Sequence, residues 1–351
     1  MSQTLDHVNV AQFVPGNKLN GVYHLLSVDQ RTKKNGDPYY MMTIGDASGN
    51  VNGIMWDNHA GLVSGVIQQD DFVSVEGDVG EYNGNTQVVL RKIERVDDSE
   101  VELKNFIPTS PRPLEEMEQE LDGWIAKVTD PDCQKLLKKL FGHDRLREMY
   151  LHAPAAVRIH QAYVHGLVDH TLAVMRIAFS LAKGYEPINY DLLITGTLIH
   201  DIGKVRELSW KRTITYTTEG RLMGHIFMGA SMIDSMINEI RRASSFNKDL
   251  QAELLHMILS HHGKMEYGSP VIPKSREALV LHYADYTDAY MASFQNEVAP
   301  AVTKGEPWTG YSKMFQSYLY VGRAADGATN DSSMEEMINT PEPMEDVNPA
   351  Q

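Results

Sequence analysis

The sequence predicts a multi-domain protein of α and β type, in which a small five-stranded β-barrel precedes an all-α helical bundle. Its 351 residues correspond to about two domains of roughly 150 residues each. Short segments with the two-residue period of a half-buried strand occur throughout residues 19–95. From Leu114 onward, apolar residues recur every three or four positions instead, which is the period of an amphipathic helix.

The barrel is predicted from five strand-like segments that are separated by turns. They lie at residues 22–28, 39–45, 51–56, 72–79 and 87–93, and a short helix is expected at 58–66. Asn35-Gly36 and Asn83-Gly84 are typical hairpin turns. Five strands with a helix between the third and the fourth are the arrangement of an OB-fold. We therefore expect residues 1–96 to be an OB-like barrel that binds single-stranded nucleic acid.

Two loops of this barrel carry candidate contacts for a nucleic-acid strand. In OB-folds the first loop, the last loop and the face of strands two and three bind single strands. The candidates here are Arg31, Lys33, Lys34 and Tyr82. The alternative interpretation is that these side chains are only solvated.

The aromatic residues of the barrel strands have different expected positions. Tyr39 and Tyr40 point to opposite faces of one strand, so at most one of them can offer its ring to a base. We expect Trp56 to lie in the barrel core rather than on the binding face.

The remaining chain divides into a linker, a helical domain and a tail. Residues 97–113 are a predicted linker, because Pro108, Pro111 and Pro113 prevent a helix and stiffen the chain. Residues 114–322 are the predicted all-α domain, with amphipathic segments at 167–183, 190–204, 226–242, 249–260 and 275–294. Residues 323–351 have no basic side chain after Arg323, and we expect this acidic tail to be disordered.

Composition argues against several classes of protein. The net charge of −15 argues against coating of duplex nucleic acid by charge alone, although a local basic groove remains compatible with it. The single cysteine, Cys133, excludes an internal disulfide framework. Apolar runs stay far below the roughly 20 residues of a membrane-spanning helix. We therefore expect a cytoplasmic protein without a membrane partner.

Histidine marks the part of the chain where chemistry is expected. Nine of the 14 histidines lie between positions 160 and 282, and neutral imidazole is the commonest metal ligand. The strongest local signal is His200-Asp201 within an apolar segment. Burying a carboxylate costs several kcal/mol unless another charge compensates it, and a divalent metal would compensate it. Taken alone, such a dipeptide would more often be a surface pair.

The pair does not stand alone, because four other segments carry residues of the same kind. The complete set is His170, His200-Asp201, His225, His261-His262 and Asp285. Helical bundles build centres of two metal ions from ligands on several helices.

This ordered set resembles the HD superfamily of metal-dependent phosphohydrolases, in the version whose additional histidines hold two or more metals. Three further segments are Gly224-His225-Ile226, Leu259-Ser260-His261-His262-Gly263 and Glu266-Tyr267-Gly268-Ser269-Pro270. With the OB-like barrel, they make the chain similar to the YhaM-type 3′→5′ exoribonucleases of bacteria. The resemblance covers both predicted domains and excludes the acidic tail.

The resemblance implies a role for each residue of the set. It implies that one ion is held by His170, His200, Asp201 and Asp285, and that a second is held by His225, His261 and His262. Asp201 would bridge the two ions, and Lys204 would contact a phosphate or stabilise charge in the transition state. His160 and His165 lie close enough in sequence to join the site, but we expect them to orient ligands from outside or to be structural. Asp288 is expected to orient a ligand histidine from outside.

The predicted chemistry needs no protein nucleophile, because two metal ions can activate a water near neutral pH. Mixed histidine and carboxylate ligands suit manganese, iron, cobalt or zinc better than magnesium. Manganese, attack from the 3′ end and a preference for RNA over DNA are implied by the resemblance alone.

The predicted function is that of a metal-dependent 3′→5′ exonuclease acting on single-stranded RNA, with DNA as a further candidate substrate. A small-nucleotide phosphohydrolase or phosphodiesterase that uses the barrel for assembly is one alternative. A non-catalytic single-strand binding protein is another. A homo-oligomer is compatible with each of them.

Overall fold

A computed structural model describes residues 7–56, 66–102, 105–142, 144–157, 161–210 and 212–322. The chain forms two compact units that divide after Tyr290. Residues 58–65 of the predicted short helix, His160 and the predicted tail 323–351 lie outside the described residues.

The N-terminal part is a closed barrel of five strands, as the sequence predicts. The strands are β1 (Lys18–Thr32), β2 (Pro38–Asp46), β3 (Gly49–Met55), β4 (Phe72–Tyr82) and β5 (Asn85–Val96). They close in the order β1-β2-β3-β5-β4, and all neighbours are antiparallel except β3 and β5. This is a Greek-key barrel of the OB-fold type.

Alternating side chains fill the barrel, and bulges bend its strands. Tyr23 and Leu25 of β1 are fully buried, as the strand period requires. A bulge interrupts the pairing of β4 with β5 between Glu76 and Gly77. A Cβ atom at Gly77 would lie 2.5 Å from the carbonyl oxygen of Val89, so only glycine permits this close approach.

The second part of the chain is helical. The helices are α1 (Leu114–Ala126), α2 (Pro131–Phe141), α3 (Asp144–His152), α4 (Gly166–Ala182), α5 (Tyr190–Ile199), α6 (Lys204–Glu207), α7 (Thr218–Ala243), α8 (Lys248–Ser260) and α9 (Arg276–Lys304). Within the described ranges, no helix combines the length and the apolar character needed to cross a membrane.

Two short β-hairpins occur in the region that the sequence predicts as purely helical. Strands β6 (Leu208–Ser209) and β7 (Thr215–Tyr216) pair between α6 and α7, and β8 (Trp308–Ser312) pairs with β9 (Ser317–Tyr320) after α9. A two-residue strand is too short to produce a periodic pattern in the sequence.

Helices α4 and α5 form the centre of the bundle, and most of their side chains are buried. The start of α4 is held by hydrogen bonds from Ser110 of the predicted linker and from Tyr163. The hydroxyl groups of Ser110 and Tyr163 donate to Oδ2 of Asp169, at 2.9 and 2.7 Å. These bonds fix the end of the helix that carries the adjacent residue, His170.

Candidate metal centre

The His200-Asp201 pair lies at the end of a helix rather than inside one. The expectation of one helix over 190–204 is wrong, because α5 ends at Ile199 and α6 begins at Lys204. Nδ1 of His200 donates a hydrogen bond to the carbonyl oxygen of Thr197, at 2.7 Å. In a continuing helix, the Thr197 carbonyl would accept a hydrogen bond from a backbone N–H of the next turn. Here it accepts from the His200 ring.

Helix α7 is interrupted at Gly224 and resumes at His225. Gly224 has φ 72° and ψ 155° inside α7, a conformation that favours glycine, and regular helix resumes after it. The neighbouring turn approaches His225 closely, since a Cβ atom at Gly203 would lie 2.0 Å from the carbonyl oxygen of His225. The two glycines therefore bring His225 next to the turn that contains Asp201.

One group of three side chains faces Oδ2 of Asp201. Ligand atoms of His170, His200 and Asp285 lie within 4.8 Å of one another. Nε2 of His170 is 3.1 Å from Oδ1 of Asp285 and 3.5 Å from Oδ2 of Asp201. Nε2 of His200 is 3.4 Å from the same oxygen of Asp201.

A second group faces the other oxygen of the same carboxylate. Oδ1 of Asp201 is 3.3 Å from Nε2 of His225 and 3.5 Å from Nε2 of His261. His262 completes this group, and its ring centroid is 4.2 Å from that of His261. Asp201 thus directs one oxygen toward each group, which is the arrangement that a bridging carboxylate requires.

Each of the five histidine rings is held through Nδ1 by an acceptor in its own surroundings. The pairs are His170 with Asp288, His200 with the Thr197 carbonyl, His225 with Glu207, His261 with the Ile258 carbonyl, and His262 with the Tyr267 carbonyl. A carbonyl oxygen can only accept, so the rings that face one carry their proton on Nδ1. Their Nε2 lone pairs are therefore available toward the centre, as in metal sites whose ligands are oriented from outside.

Several of the inward-facing atoms have no hydrogen-bond partner among the described residues. They are Nε2 of His200, His225 and His261 and Oδ1 of Asp201, and all of them are buried. Such orphaned atoms cost about 1–3 kcal/mol each. Because they are electron donors that face one another, a cation between them would satisfy all of them at once. The residues present fit divalent metal ions with nitrogen and oxygen ligands.

The pKa values of the centre reflect the same arrangement. Burial would raise the pKa of Asp201, but the nearby Lys204 ammonium and His200 hold it well below its usual range. Burial, together with the neighbouring His261 and His225, lowers the pKa of His262 to about 3. Burial also lowers the pKa of His261. These groups are therefore in the protonation states that bind metals at neutral pH.

His170 is the exception, because carboxylates flank it on both sides. Burial would lower its pKa, but hydrogen bonds to Asp285 and Asp288 raise it to about 10. Asp288 lies 2.7 Å from Nδ1 of His170 and also accepts from Gln161. Asp288 therefore contacts the outer ring nitrogen of His170, and its orienting role stays a prediction.

Lys204 faces the centre as expected. Its Nζ atom lies 2.6 Å from Oδ2 of Asp201, and the side chain is buried. Burial would lower the pKa of Lys204, but Asp201 raises it above its usual value. A buried ammonium group therefore stands beside the inward-facing carboxylate.

The other histidines have separate positions. Nδ1 of His165 lies 2.7 Å from the Leu151 carbonyl and its ring packs against His152, which ties it to α3. His282 donates through Nδ1 to the carbonyl of His261 at 2.7 Å and so supports a member of the centre. His160 lies outside the described residues.

Sequence reasoning missed Glu207. This buried residue ends α6 and accepts hydrogen bonds from the backbone nitrogen of His225, at 2.9 Å, and from its Nδ1, at 3.2 Å. The one available signal was an acidic residue one helical turn beyond Lys204, which is too common to identify a role.

The barrel presents a cleft at the end of β1 and the start of β2. It is lined by Thr32, Lys33, Lys34, Asn35, Tyr39 and Trp56. The expectation that Trp56 lies in the core is wrong: its side chain is 47% exposed and stacks on Tyr39, with ring centroids 5.2 Å apart. Trp56 follows the last residue of β3, so the inward alternation of that strand no longer applies to it.

The other predicted contacts of the barrel have different positions. Tyr40 is buried, so only Tyr39 of the two neighbouring tyrosines reaches the surface, as expected. Arg31 lies on β1 opposite Tyr39 rather than in the loop, because β1 continues to Thr32. Tyr82 is exposed elsewhere, at the tip of the hairpin between β4 and β5.

Comparison with known proteins finds similarity over both parts of the chain. The model of the HD domain family matches residues 167–290. The 3′-5′ exoribonuclease YhaM of Bacillus velezensis is 34% identical over 281 residues, which cover 79% of this chain and 86% of that protein. The 3′-5′ exoribonuclease YhaM of Bacillus subtilis is 35% identical over 264 residues, which cover 73% and 80%. Among solved structures, the second OB-fold domain of replication protein A from Methanococcus maripaludis is 14% identical, with a TM-score of 0.22, over 26% of this chain and 94% of that chain.

Proposed function

Because the chain belongs to the YhaM family of 3′-5′ exoribonucleases, we propose that it is a metal-dependent hydrolase that removes nucleotides from the 3′ end of single-stranded RNA. The observation that carries this proposal is the pair of side-chain groups that share Asp201. A carboxylate that offers one oxygen to each of two metal sites is suited to phosphodiester hydrolysis.

The proposed ion sites follow the two groups. His170, His200 and Asp285 would hold one divalent ion, and His225, His261 and His262 would hold the other, with Asp201 shared between them. When bound, two such ions supply an activated water and neutralise developing charge on the phosphate. Manganese is the proposed metal because the resemblance implies it, and nitrogen-rich sites of this kind disfavour magnesium but leave iron, cobalt and zinc as alternatives.

The chain's own residues prepare the centre for an anionic substrate. The imidazoles of His261 and His262 are neutral at physiological pH because burial lowers their pKa values. The ammonium group of Lys204 provides a fixed positive charge 2.6 Å from Asp201. We propose that it contacts a phosphate oxygen and stabilises charge that develops there in the transition state.

The barrel would hold the strand that the metal centre degrades. Its cleft combines two lysines with the stacked pair Tyr39 and Trp56. Stacking on aromatic rings and contacts of cations with phosphates are how OB-folds bind single strands without reading their sequence. A free nucleotide would make no use of such a cleft.

Degradation of labelled oligomers tests the proposal. The purified protein with manganese should shorten a 5′-labelled single-stranded RNA progressively and release labelled mononucleotide first from a 3′-labelled one. A DNA oligomer of the same sequence should be degraded more slowly. Turnover of small nucleotides without any cleavage of RNA would instead identify a nucleotide phosphohydrolase, and tight binding of RNA without metal or cleavage would identify a binding protein.

A further inference from the structure

Two exposed tyrosines of the first compact unit, Tyr286 and Tyr267, are connected through the backbone to residues of the metal centre. Tyr286 directly follows Asp285, and its side chain is 38% exposed while that of Asp285 points inward. Tyr267 gives its carbonyl oxygen to Nδ1 of His262, at 2.6 Å, and its side chain is 48% exposed. Each ring is thus fixed to a residue of the centre through the backbone.

Tyr286 has the properties of a rigid stacking surface. Its ring lies against that of Tyr290, one helical turn further along α9, with centroids 4.1 Å apart and planes at 27°. Tyr290 therefore supports one face of the Tyr286 ring, and a partner has access from outside.

Tyr267 completes the surface from the neighbouring segment. The ring centroid of Tyr286 lies 6.3 Å from that of His282, and His282 donates to the carbonyl of His261, the neighbour of His262. The Nζ atom of Lys264 is 5.6 Å from the centre of the Tyr267 ring. Aromatic rings with an adjacent cation match the bases and the phosphates of a single strand.

From this arrangement we propose that Tyr286, supported by Tyr290, and Tyr267 form a stacking platform for the bases of the 3′-terminal nucleotides of the RNA substrate. The inference rests on the proposed exonuclease function and adds how the strand end is held at the metal centre. The occupant follows from continuity with that centre, because a phosphodiester bound there carries its flanking bases only one nucleotide away. Since every base has an aromatic face, the platform accepts any sequence but requires unpaired terminal bases.

The test uses two RNA oligomers that differ only at the 3′ end. One is an ordinary single strand, and the other carries abasic riboses at its last two positions. For the ordinary strand, Tyr286→Ala should raise KM by between about 5-fold and 100-fold, as expected for the loss of stacking on one base. For the abasic strand, the same substitution should leave KM unchanged, because that strand has no base to stack.

Two further variants separate stacking from a structural role. Tyr286→Phe keeps the ring and should retain a KM close to that of the unchanged protein. Tyr185→Ala removes another exposed tyrosine, 68% accessible and between α4 and α5, and should affect neither strand. The metal content of Tyr286→Ala should equal that of the unchanged protein.

Three results would overturn the platform: an equal effect of Tyr286→Ala on both strands, no effect on either, or loss of metal from this variant. Failure of the unchanged protein to degrade RNA would have a different meaning. It would remove the exonuclease function itself, before any comparison of variants.

Discussion

Oδ1 of Asp201 lies 3.3 Å from Nε2 of His225, and within the described ranges neither atom has a hydrogen-bond partner. Glu207 faces the other ring nitrogen of His225, so that nitrogen holds the proton. Two electron donors therefore face each other in a buried position. This relationship is unfavourable in the protein alone and becomes favourable with a cation between them.

Replacing the shared carboxylate should remove both ions. Asp201→Asn keeps the size of the side chain but loses the negative charge that faces both groups. We expect bound manganese, measured by elemental analysis after dialysis, to fall to background and the rate of RNA degradation to fall by at least about 10³-fold. Asp249→Asn, an exposed position in the first turn of α8, is the matched control and should retain both. Undiminished degradation by Asp201→Asn would contradict the shared-carboxylate site.

Removal of Glu207 should lower the affinity for one metal ion and leave the affinity for the other unchanged. Glu207→Ala takes the acceptor from Nδ1 of His225, and loss of such an orienting group lowers metal affinity by about 10- to 100-fold. Calorimetric titration with manganese should show two sites in the unchanged protein and one weakened site in the variant. Glu219→Ala, which breaks only the exposed pair with Arg206, should leave both affinities intact. Equal weakening of both ions would show that Glu207 acts on the fold instead.

Manganese affinity should increase with pH. Hydrogen bonds to Asp285 and Asp288 overcome the effect of burial and raise the pKa of His170 to about 10, so the metal-free ring holds a proton at neutral pH. The ion needs the neutral ring, and its binding must release that proton. Asp201 and His262 have lowered pKa values and release none. We expect the apparent affinity to rise about tenfold per unit between pH 6 and 8.

Paramagnetic resonance of free manganese measures this affinity without any need for activity. Asp288→Asn removes one of the groups that raise the pKa of His170, so the slope should become smaller toward pH 8. An affinity that is constant from pH 6 to 8 would show that His170 binds no ion.

Trp56 should contribute to binding of the strand rather than to catalysis. Trp56→Ala removes the ring that stacks on Tyr39, and we expect the Kd for a single-stranded RNA in metal-free buffer to rise by roughly 5- to 100-fold. Fluorescence anisotropy of a labelled strand provides the measurement. The salt dependence of Kd should not change, because no phosphate contact is lost. Trp308→Ala, at an equally exposed tryptophan of β8, is the control, and a similar loss in both variants would argue against the cleft.

Periodicity predicted the fold well where a long element buries one face. The five strands of the barrel and the helix around His170 occur close to their predicted positions, whereas α7 begins eight residues earlier and α9 ends ten residues later than predicted. The predicted metal ligands also come together, because a chain buries such residues only near groups that compensate them. Their roles as ligands stay a prediction.

Three features of the structure differ from the predictions for local reasons. The turn after Ile199 continues the apolar pattern of α5, so periodicity did not show that the helix ends there. Trp56 comes one residue after the end of β3. Tryptophan as a residue type favours the core, but the alternation of the strand no longer determines where this side chain points. Glu207 gains its role only from a contact with His225, 18 positions later, which no local pattern contains.

The anchoring of the histidine rings by Nδ1 bears on how the protein acquires its metal. Because helix-end carbonyls and carboxylates set the ring directions, the polypeptide presents its ligands before any ion arrives. One ion can then be exchanged for another without refolding. We therefore expect ligand type and cellular supply, rather than raw affinity, to decide which ion is resident, so that starvation for one element would change the catalyst without changing its shape.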